Sequence, residues 1–424
     1  MIDIQQLVQD PHLYQENCRK RGVDLDIHKI VEAYQTRNQK IRQTQLIRQQ
    51  QNEIAARMKS KDVSQEERQN LIQQGRDFKV QLVELEQELE HLEKEFHQLL
   101  LRVPNLTHPE SPEGGEEDFH EVRRYLEPTK FPFAALDHVQ LSQRHQLVDF
   151  EMGATVAGQK FYFLKNEAVF LELALMRYAL DIATAHGFKA VITPDLAKNS
   201  ILEGIGFTPK GPESQIYRVD EHDLSLIATA EITIGGAYAD HIFESNQLPL
   251  LMAGISHCFR TEAGSGGRES KGLYRVHQFT KVELFAFCPP SQSEAMHSKI
   301  LAIEEEVFQG LKLPYRVIDI ASGDLGAPAY RKFDIEAWMP GRGPSGSYGE
   351  VTSTSNCLDF QARRLKIRYR DEKMEKPEFV HTLNGTAIAN SRAIVAILEN
   401  YQQPDGSILM PEALHPYLPF KRIG

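Results

Sequence analysis

The sequence predicts an α+β protein: an antiparallel sheet flanked by helices, preceded by an N-terminal antiparallel coiled-coil arm. Three observations predict it. Residues 28–102 hold no proline and one glycine, Gly75, and apolar residues recur there at heptad steps. Residues 104–120 are rich in proline, glycine and acid. Beyond them strand-like and helix-like stretches mix without the alternation of a parallel βαβ sheet. The expected organisation is a helical domain over 1–103, a linker over 104–120 and a larger domain over 121–424.

In the arm, Leu71, Phe78, Leu82, Leu85, Leu89, Leu92, Phe96 and Leu99 recur at steps of seven, four and three, a coiled-coil seam. The preceding segment carries a weaker seam of Ile30, Tyr34, Ile41, Thr44, Ala55 and Met58. Between them Ser64 and Glu67 have capping-box spacing. Two long helices joined by so short a turn fold back on each other over about residues 28–102. The first is basic (Arg37, Lys40, Arg42, Arg48, Arg57, Lys59); the second is acidic (Glu84, Glu86, Glu88, Glu90, Glu93, Glu95). This is either a solvated hairpin with charge pairing between its helices, or an arm presenting a basic stripe to a nucleic-acid backbone.

In the larger domain, FYFL and VELFAF read as strands. Residues 168–187 form an amphipathic pattern ending at Gly187, and ILAIEEEVFQGL and ANSRAIVAILENYQ read as further helices. The formal net charge of −11 argues against general adhesion to nucleic acid but leaves room for a local basic face. Four scattered cysteines without a CxxC pair point to a reducing compartment, not to disulfides or structural zinc. The first residues lack the pattern of a signal peptide, and no apolar run approaches membrane-spanning length. A cytoplasmic protein without a membrane partner is expected.

No GxGxxG or Walker loop appears: Gly206 and Gly211 have the Walker spacing, but Pro212 stands where lysine is needed. His257 and Cys258 lack partners at metal-ligand spacing and read as packing residues. The chemistry concentrates in FRTEAGSGGRESKGLYRVHQF, residues 259–279. Arginine grips phosphate with two hydrogen bonds at once. On strands, Arg260 and Glu262 would share a face, as would Arg275, His277 and Phe279, and Lys281 and Glu283. A loop holding Gly264, Gly266, Gly267 and Gly272 joins the two strands. The charged face is either the solvated side of a hairpin or a cleft, and the apolar neighbours favour the cleft. Residues 346–364, GSYGEVTSTSNCLDFQARR, set Glu350 among hydroxyls, an oxygen donor set for Mg²⁺ or an exposed Ser/Thr loop. Residues 383–402 read as strand, turn and helix, with Arg392 at the helix start, where an anion is favoured.

Together these segments resemble the bacterial-type seryl-tRNA synthetases, a family of class II aminoacyl-tRNA synthetases, over essentially the full chain. Residues 259–279 look like the family's motif 2 and residues 384–402 like its motif 3. GFKAVITPDL, with Pro194, resembles motif 1 at the dimer interface. ATAE, ending at Glu231, looks like the serine-binding loop, and EVTSTSNCLDFQARR like the ATP and metal segment. The resemblance implies a tRNA-binding first domain and a catalytic second one. It also implies a homodimer that joins serine to tRNA(Ser), and to tRNA(Sec), using ATP and Mg²⁺. By it, Arg260 holds the α-phosphate and Glu262 contacts adenine, with Thr261 beside them. Phe279 stacks on adenine, Val276 gives a backbone contact, and Arg275 and Arg392 hold the distal phosphates. Glu350 and Ser353 bind the metal, Val351 and Thr352 line the nucleotide site, and Thr229, Ala230, Glu231, Glu283 and Thr386 hold serine. The glycine-rich tip adapts to the acceptor end of tRNA. NGTAIANSR departs from the small-residue run ending in GR of many relatives, and Thr352, Thr354 and Leu358 replace commoner residues. The ligands of the zinc-dependent type are not evident.

Two rival readings stand beside this one. A catalytically silent paralogue would use the coiled coil as a scaffold, but it would be free to lose Arg260, Arg275, Glu350 or Arg392, and all are present. A ligase charging a carrier protein would lack the long arm. An arm is suited to RNA read by backbone and shape.

Overall fold

Each helix of the N-terminal unit starts where an acidic or hydroxyl side chain can accept its free amide groups. Asp3 caps α1 (Ile4–Gln9), Asp10 caps α2 (Pro11–Lys20), Asp26 caps α3 (Ile27–Met58) and Ser64 caps α4 (Gln65–Arg102). The computed structural model describes residues 1–207, 215–263 and 272–424. It separates into two units, Met1–Pro104 and Asn105–Gly424.

In the first unit α3 and α4 form the expected hairpin. All eight seam residues of α4 are half-buried, and Gly75 takes its place in the seam opposite Ile54. Along α3, Ile30, Tyr34, Ile41, Thr44 and Met58 turn inward, but Ala55 is exposed and Ile54 is packed instead. The larger apolar side chain of Ile54 takes the seam place that the count gave to its small neighbour, while Met58, four heptads after Ile30, is still on the seam. Thr44 is buried, and its hydroxyl donates to the Lys40 carbonyl at 2.9 Å. Tyr34 packs on Phe96 with ring centroids 5.9 Å apart. The opposite charges do pair: Arg37 with Glu93, Lys40 with Glu88 and Arg48 with Glu86. Ser64 Oγ accepts the Glu67 amide at 3.1 Å, while the Glu67 carboxylate takes Arg57 at 2.9 Å.

In the second unit eight strands form the main sheet. They are β1 (His120–Tyr125), β2 (Lys189–Ile192), β3 (Leu250–Phe259), β4 (Gln278–Cys288), β5 (Tyr315–Asp319), β6 (Arg331–Met339), β7 (Ser347–Asn356) and β8 (His381–Ala389). Their order is β1-β5-β6-β7-β8-β4-β3-β2, antiparallel except where β2 runs parallel to β3. Alternating residues of β4 enter two cores: Val282, Leu284 and Ala286 join one, Phe285 and Phe287 the other. The first core receives α5 (Glu167–Ala185), the second α6 (Ala230–Gly236). The first also receives α7 (Ser293–Gly310) and α9 (Asn390–Asn400), and the second α8 (Phe360–Leu365).

Three expectations change. FYFL contributes only Phe163–Leu164, paired with Val148–Asp149 outside the main sheet. Residues expected as a linker are fastened to the second unit from Asn105 onward, whose side-chain amide donates to the Pro328 and Cys357 carbonyls at 2.9 Å. The chain passes from β8 into α9 without an intervening turn. All four cysteines are buried and free.

Candidate active site

The hairpin of β3 and β4 pairs Cys258 with Phe279 and Phe259 with Gln278. Strand β3 ends at Phe259, so Arg260 and Glu262 do not share a strand face as expected. Glu262 has a positive φ of 52°, and the turn this makes brings its carboxylate to Arg275, 3.2 Å away. Arg275 and His277 likewise precede β4. The Arg260 guanidinium lies over the Phe279 ring, 5.3 Å from its centroid. The glycine-rich tip, including Gly264, Gly266 and Gly267, lies outside the described residues, as does Gly211.

A cleft of about 440 Å³ opens beside this hairpin. Arg260, Arg275 and Arg392 all line it, with Glu262, Val276, Phe279, Glu350, Val351, Thr352 and Thr386. Thr261 sits between two of these residues, its amide donating to the Gln215 carbonyl at 3.1 Å.

A bulge shapes the metal segment. Across β6 and β7, Ile335 faces Thr352 and Glu336 faces Glu350, leaving Val351 as the extra residue. Ser353 faces Asp334. Because Asp334 and Glu336 are two apart on one strand, their partners Ser353 and Glu350 come to the same face. Without the bulge, residues three apart would point to opposite faces. Arg392 Nη1 pairs with Glu350 Oε2 at 3.0 Å. Burial works against charge on Glu350, but Arg392 and Lys332 outweigh it and hold the carboxyl down at about 2. Its side chain keeps 42 % of its surface open, so a charged oxygen faces the cleft. An ionised carboxylate and a hydroxyl on one face suit Mg²⁺, which keeps water and phosphate ligands. No cluster of three or more acidic, histidine or cysteine side chains among the described residues would form a closed metal cage.

The residues expected to hold serine gather behind the arginines. Thr229 caps α6 and accepts the Glu231 amide at 3.2 Å. Ala230 is fully buried, and it can lie against the sheet because its neighbour there is Gly254, where a Cβ would fall 2.9 Å from that of Ala230. Gly254 in turn is opposite Glu283. Glu231 Oε1 accepts from Gln361 at 2.6 Å and from Asn384 at 3.0 Å. Burial, then the Glu283 charge, push the Glu231 carboxyl up to about 7. Glu283 is raised as well, chiefly by burial, although Lys281 forms an ion pair with it. Thr386 accepts from Lys281 Nζ at 3.3 Å and lies 3.5 Å from Glu283 Oε2. A second bulge, at Ala387, follows Thr386.

Sequence reasoning set Lys281 on the charged face without giving it a role, and did not single out Asn384, Gln361 or Tyr274 as site residues. All four lie in segments it had marked, but their partners come from other segments: Gln361 and Asn384 meet Glu231, Lys281 meets Thr386, and Tyr274 meets Arg392. His257, expected to be a packing residue, is exposed and bonds Asp195 at 2.7 Å, whereas Cys258 is buried as expected.

The profile of the tRNA synthetase class II core domain (G, H, P, S and T) matches residues 215–401, and that of the seryl-tRNA synthetase N-terminal domain matches residues 1–107. The serine-tRNA ligase of Treponema denticola is 52 % identical over 425 residues, covering 100 % of both chains. That of Rubrobacter xylanophilus is 51 % identical, covering 100 % of this chain and 99 % of its own. The crystal structure of seryl-tRNA synthetase from Pyrococcus horikoshii complexed with ATP superposes with a TM-score of 0.90 at 41 % identity, covering 100 % of this chain and 99 % of that one. Similarity of this extent, together with the arm and the cleft, places the chain in the seryl-tRNA synthetase family.

Proposed function

We propose that this chain activates L-serine with ATP, forming seryl-adenylate and pyrophosphate, and then transfers the seryl group to the 3′ end of tRNA(Ser). The observation that carries the reading is the single cleft lined by Arg260, Arg275 and Arg392, with the buried Glu231 and Glu283 behind it. The ATP complex of the Pyrococcus relative supports ATP as the nucleotide.

The serine carboxylate attacks the α-phosphorus and pyrophosphate leaves. Arg260 holds the α-phosphate, and Arg275 and Arg392 the distal ones, stabilising an anionic transition state by placement and charge. Arg275 exchanges its present Glu262 partner for phosphate, which leaves Glu262 for the adenine edge. Phe279 offers its ring to the base, and Thr261, Val276, Val351 and Thr352 line the nucleotide. Glu350 and Ser353 would hold Mg²⁺, which when bound neutralises phosphate charge. Thr229, Ala230 and Thr386 shape the serine pocket. Glu231 and Glu283 meet the ammonium and hydroxyl groups, so alanine would leave a buried acceptor unpaired. In the second step a ribose hydroxyl of tRNA attacks the seryl carbonyl and AMP leaves.

The helical hairpin of the first unit is assigned to tRNA binding. A homodimer is supported by exposed apolar residues at the motif 1 edge: Phe170 (50 % exposed), Leu173 (55 %) and Ile192 (83 %). A cytoplasmic location is supported by the four free cysteines; among the described residues no helix is long and apolar enough to cross a membrane.

The test is serine-dependent ATP–pyrophosphate exchange without tRNA, with alanine, threonine and cysteine as controls. Exchange with serine alone is the expected result. A folded protein that exchanges with no amino acid in the presence of Mg²⁺ would be a silent scaffold.

A further inference from the structure

Glu399 sits on α9, the helix that carries Arg392, and His138 begins a short helix, His138–His145. Both side chains are buried, 1 % and 8 % exposed, and His138 Nδ1 lies 2.8 Å from Glu399 Oε1. The other ring nitrogen, Nε2, accepts the Leu273 amide at 3.2 Å. A nitrogen that accepts an N–H carries no proton, so the hydrogen-bond pattern assigns the proton to Nδ1, pointing at Glu399. Glu399 is satisfied from other directions too. Oε1 accepts the His138 amide at 3.0 Å and Oε2 the Gly341 amide at 2.9 Å.

We propose that the Glu399–His138 pair is a positioning device for ATP: it fixes the Leu273 amide and thereby sets Tyr274, Arg275, Arg392 and Glu350 in the cleft. The proposal rests on reading that cleft as the ATP site.

The connection is short. Leu273 directly precedes Tyr274. The Tyr274 carbonyl accepts Arg392 Nε at 3.4 Å, and its hydroxyl donates to the Glu350 carbonyl at 3.3 Å. The Arg392 guanidinium lies 4.8 Å from the Tyr274 ring centroid. Tyr274 therefore touches both members of the Arg392–Glu350 pair, and Arg275 follows it in the chain. The backbone reaches His138 only because residue 272 is glycine. Gly272 has φ +62°, and a Cβ there would fall 2.2 Å from His138 Nε2. A pair that served only to fill the core would need neither a directed proton nor so close an approach. Placement is what matters here, because a displacement of about 1 Å in a reacting geometry can cost on the order of a hundredfold in rate.

The full-length protein is tested by pyrophosphate exchange, with separate titrations of ATP and serine and a thermal melt for each variant. His138→Leu removes the acceptor. His138→Gln retains one at the end of the side chain. Gly272→Ala keeps both members of the pair but drives a Cβ against the His138 ring, so that Nε2 and the Leu273 amide must separate. We expect His138→Leu and Gly272→Ala to raise the KM for ATP roughly tenfold, the scale of one lost buried hydrogen bond, with the KM for serine within about twofold. His138→Gln should recover most of the loss. A folded His138→Leu whose KM for ATP stays within about twofold of the parent, or a loss shared equally by both substrates and not rescued by His138→Gln, overturns the proposal. If His138→Leu does not fold, Gly272→Ala decides alone. Arg392→Gln is the control: if it leaves exchange unchanged, the reading of the cleft fails and the proposal falls with it.

Discussion

Arg392 meets Glu350 twice through the same nitrogen: Nη1 lies 3.0 Å from the carboxylate Oε2 and 3.1 Å from the backbone carbonyl. The cation that would hold a distal phosphate is thus oriented by the carboxylate that would hold the metal. Truncating Arg392 to alanine should lower the rate of pyrophosphate exchange about 10²- to 10³-fold, as for other preorganised transition-state donors. Arg392→Lys should recover only part of this, because a point charge replaces the planar fork. Single-turnover adenylate formation measures both.

Glu231 makes a pH prediction of definite sign. Burial first, and Glu283 second, raise its carboxyl from 4.5 to about 7. Between those values the folded protein binds a proton that the unfolded chain has released. Stability therefore falls as pH rises through the window, and the loss is complete above it. Glu231→Gln should gain stability relative to the parent at pH 8, by a few kcal/mol at most, and gain nothing at about pH 4. The same variant should raise the KM for serine about tenfold or more at either pH, a stability gain at the cost of function. Thermal melts and exchange assays on one preparation separate the two effects.

Ser353→Ala should raise the Mg²⁺ concentration needed for half-maximal exchange several-fold, because one ligand to a hydrated cation is lost, and should lower the melting temperature slightly, because its hydroxyl also bonds the buried Asp334 carboxylate. Titrating Mg²⁺ at saturating ATP measures it. An unchanged requirement would remove Ser353 from the ligand set.

Phe96 contacts Tyr34 and lies under Arg37, 5.9 Å from the guanidinium carbon. Phe96→Ala should destabilise the arm by about 1–3 kcal/mol, less than a fully buried phenylalanine. Exchange without tRNA should stay within about twofold, while the KM for tRNA rises, because the change lies in a separate unit. Comparing exchange with aminoacylation reads out the difference.

Phe170 and Leu173 each expose about half of their surface on α5. Replacing both with aspartate should yield a monomer by light scattering, since a symmetric interface repeats each charge in both copies. A dimer of unchanged stability would move the interface elsewhere.

Much of this was legible in the residue order. The seam of α4 was legible because one stripe of leucines must be covered whatever the partner. The cleft arginines were legible because their residue types and surrounding motifs are distinctive. Ala55 was misplaced because a heptad step can be taken as three or four residues, and the adjacent, larger Ile54 is the one packed. His257 was misread because nothing local shows that Asp195 lies across from it.

The residue order alone was enough to read the helical hairpin, the antiparallel class of the sheet and the segments that line the cleft. These follow from local periodicity, turn residues and charge, which act over a few positions. Which side chains in those segments meet follows from the fold. Glu350 and Ser353 share a face because Val351 bulges out of register. Glu262 reaches Arg275 because the chain turns back after β3. Glu399 reaches His138, 261 residues away in the chain. Such contacts depend on strand register and on the packing of distant segments, and no short-range pattern encodes either.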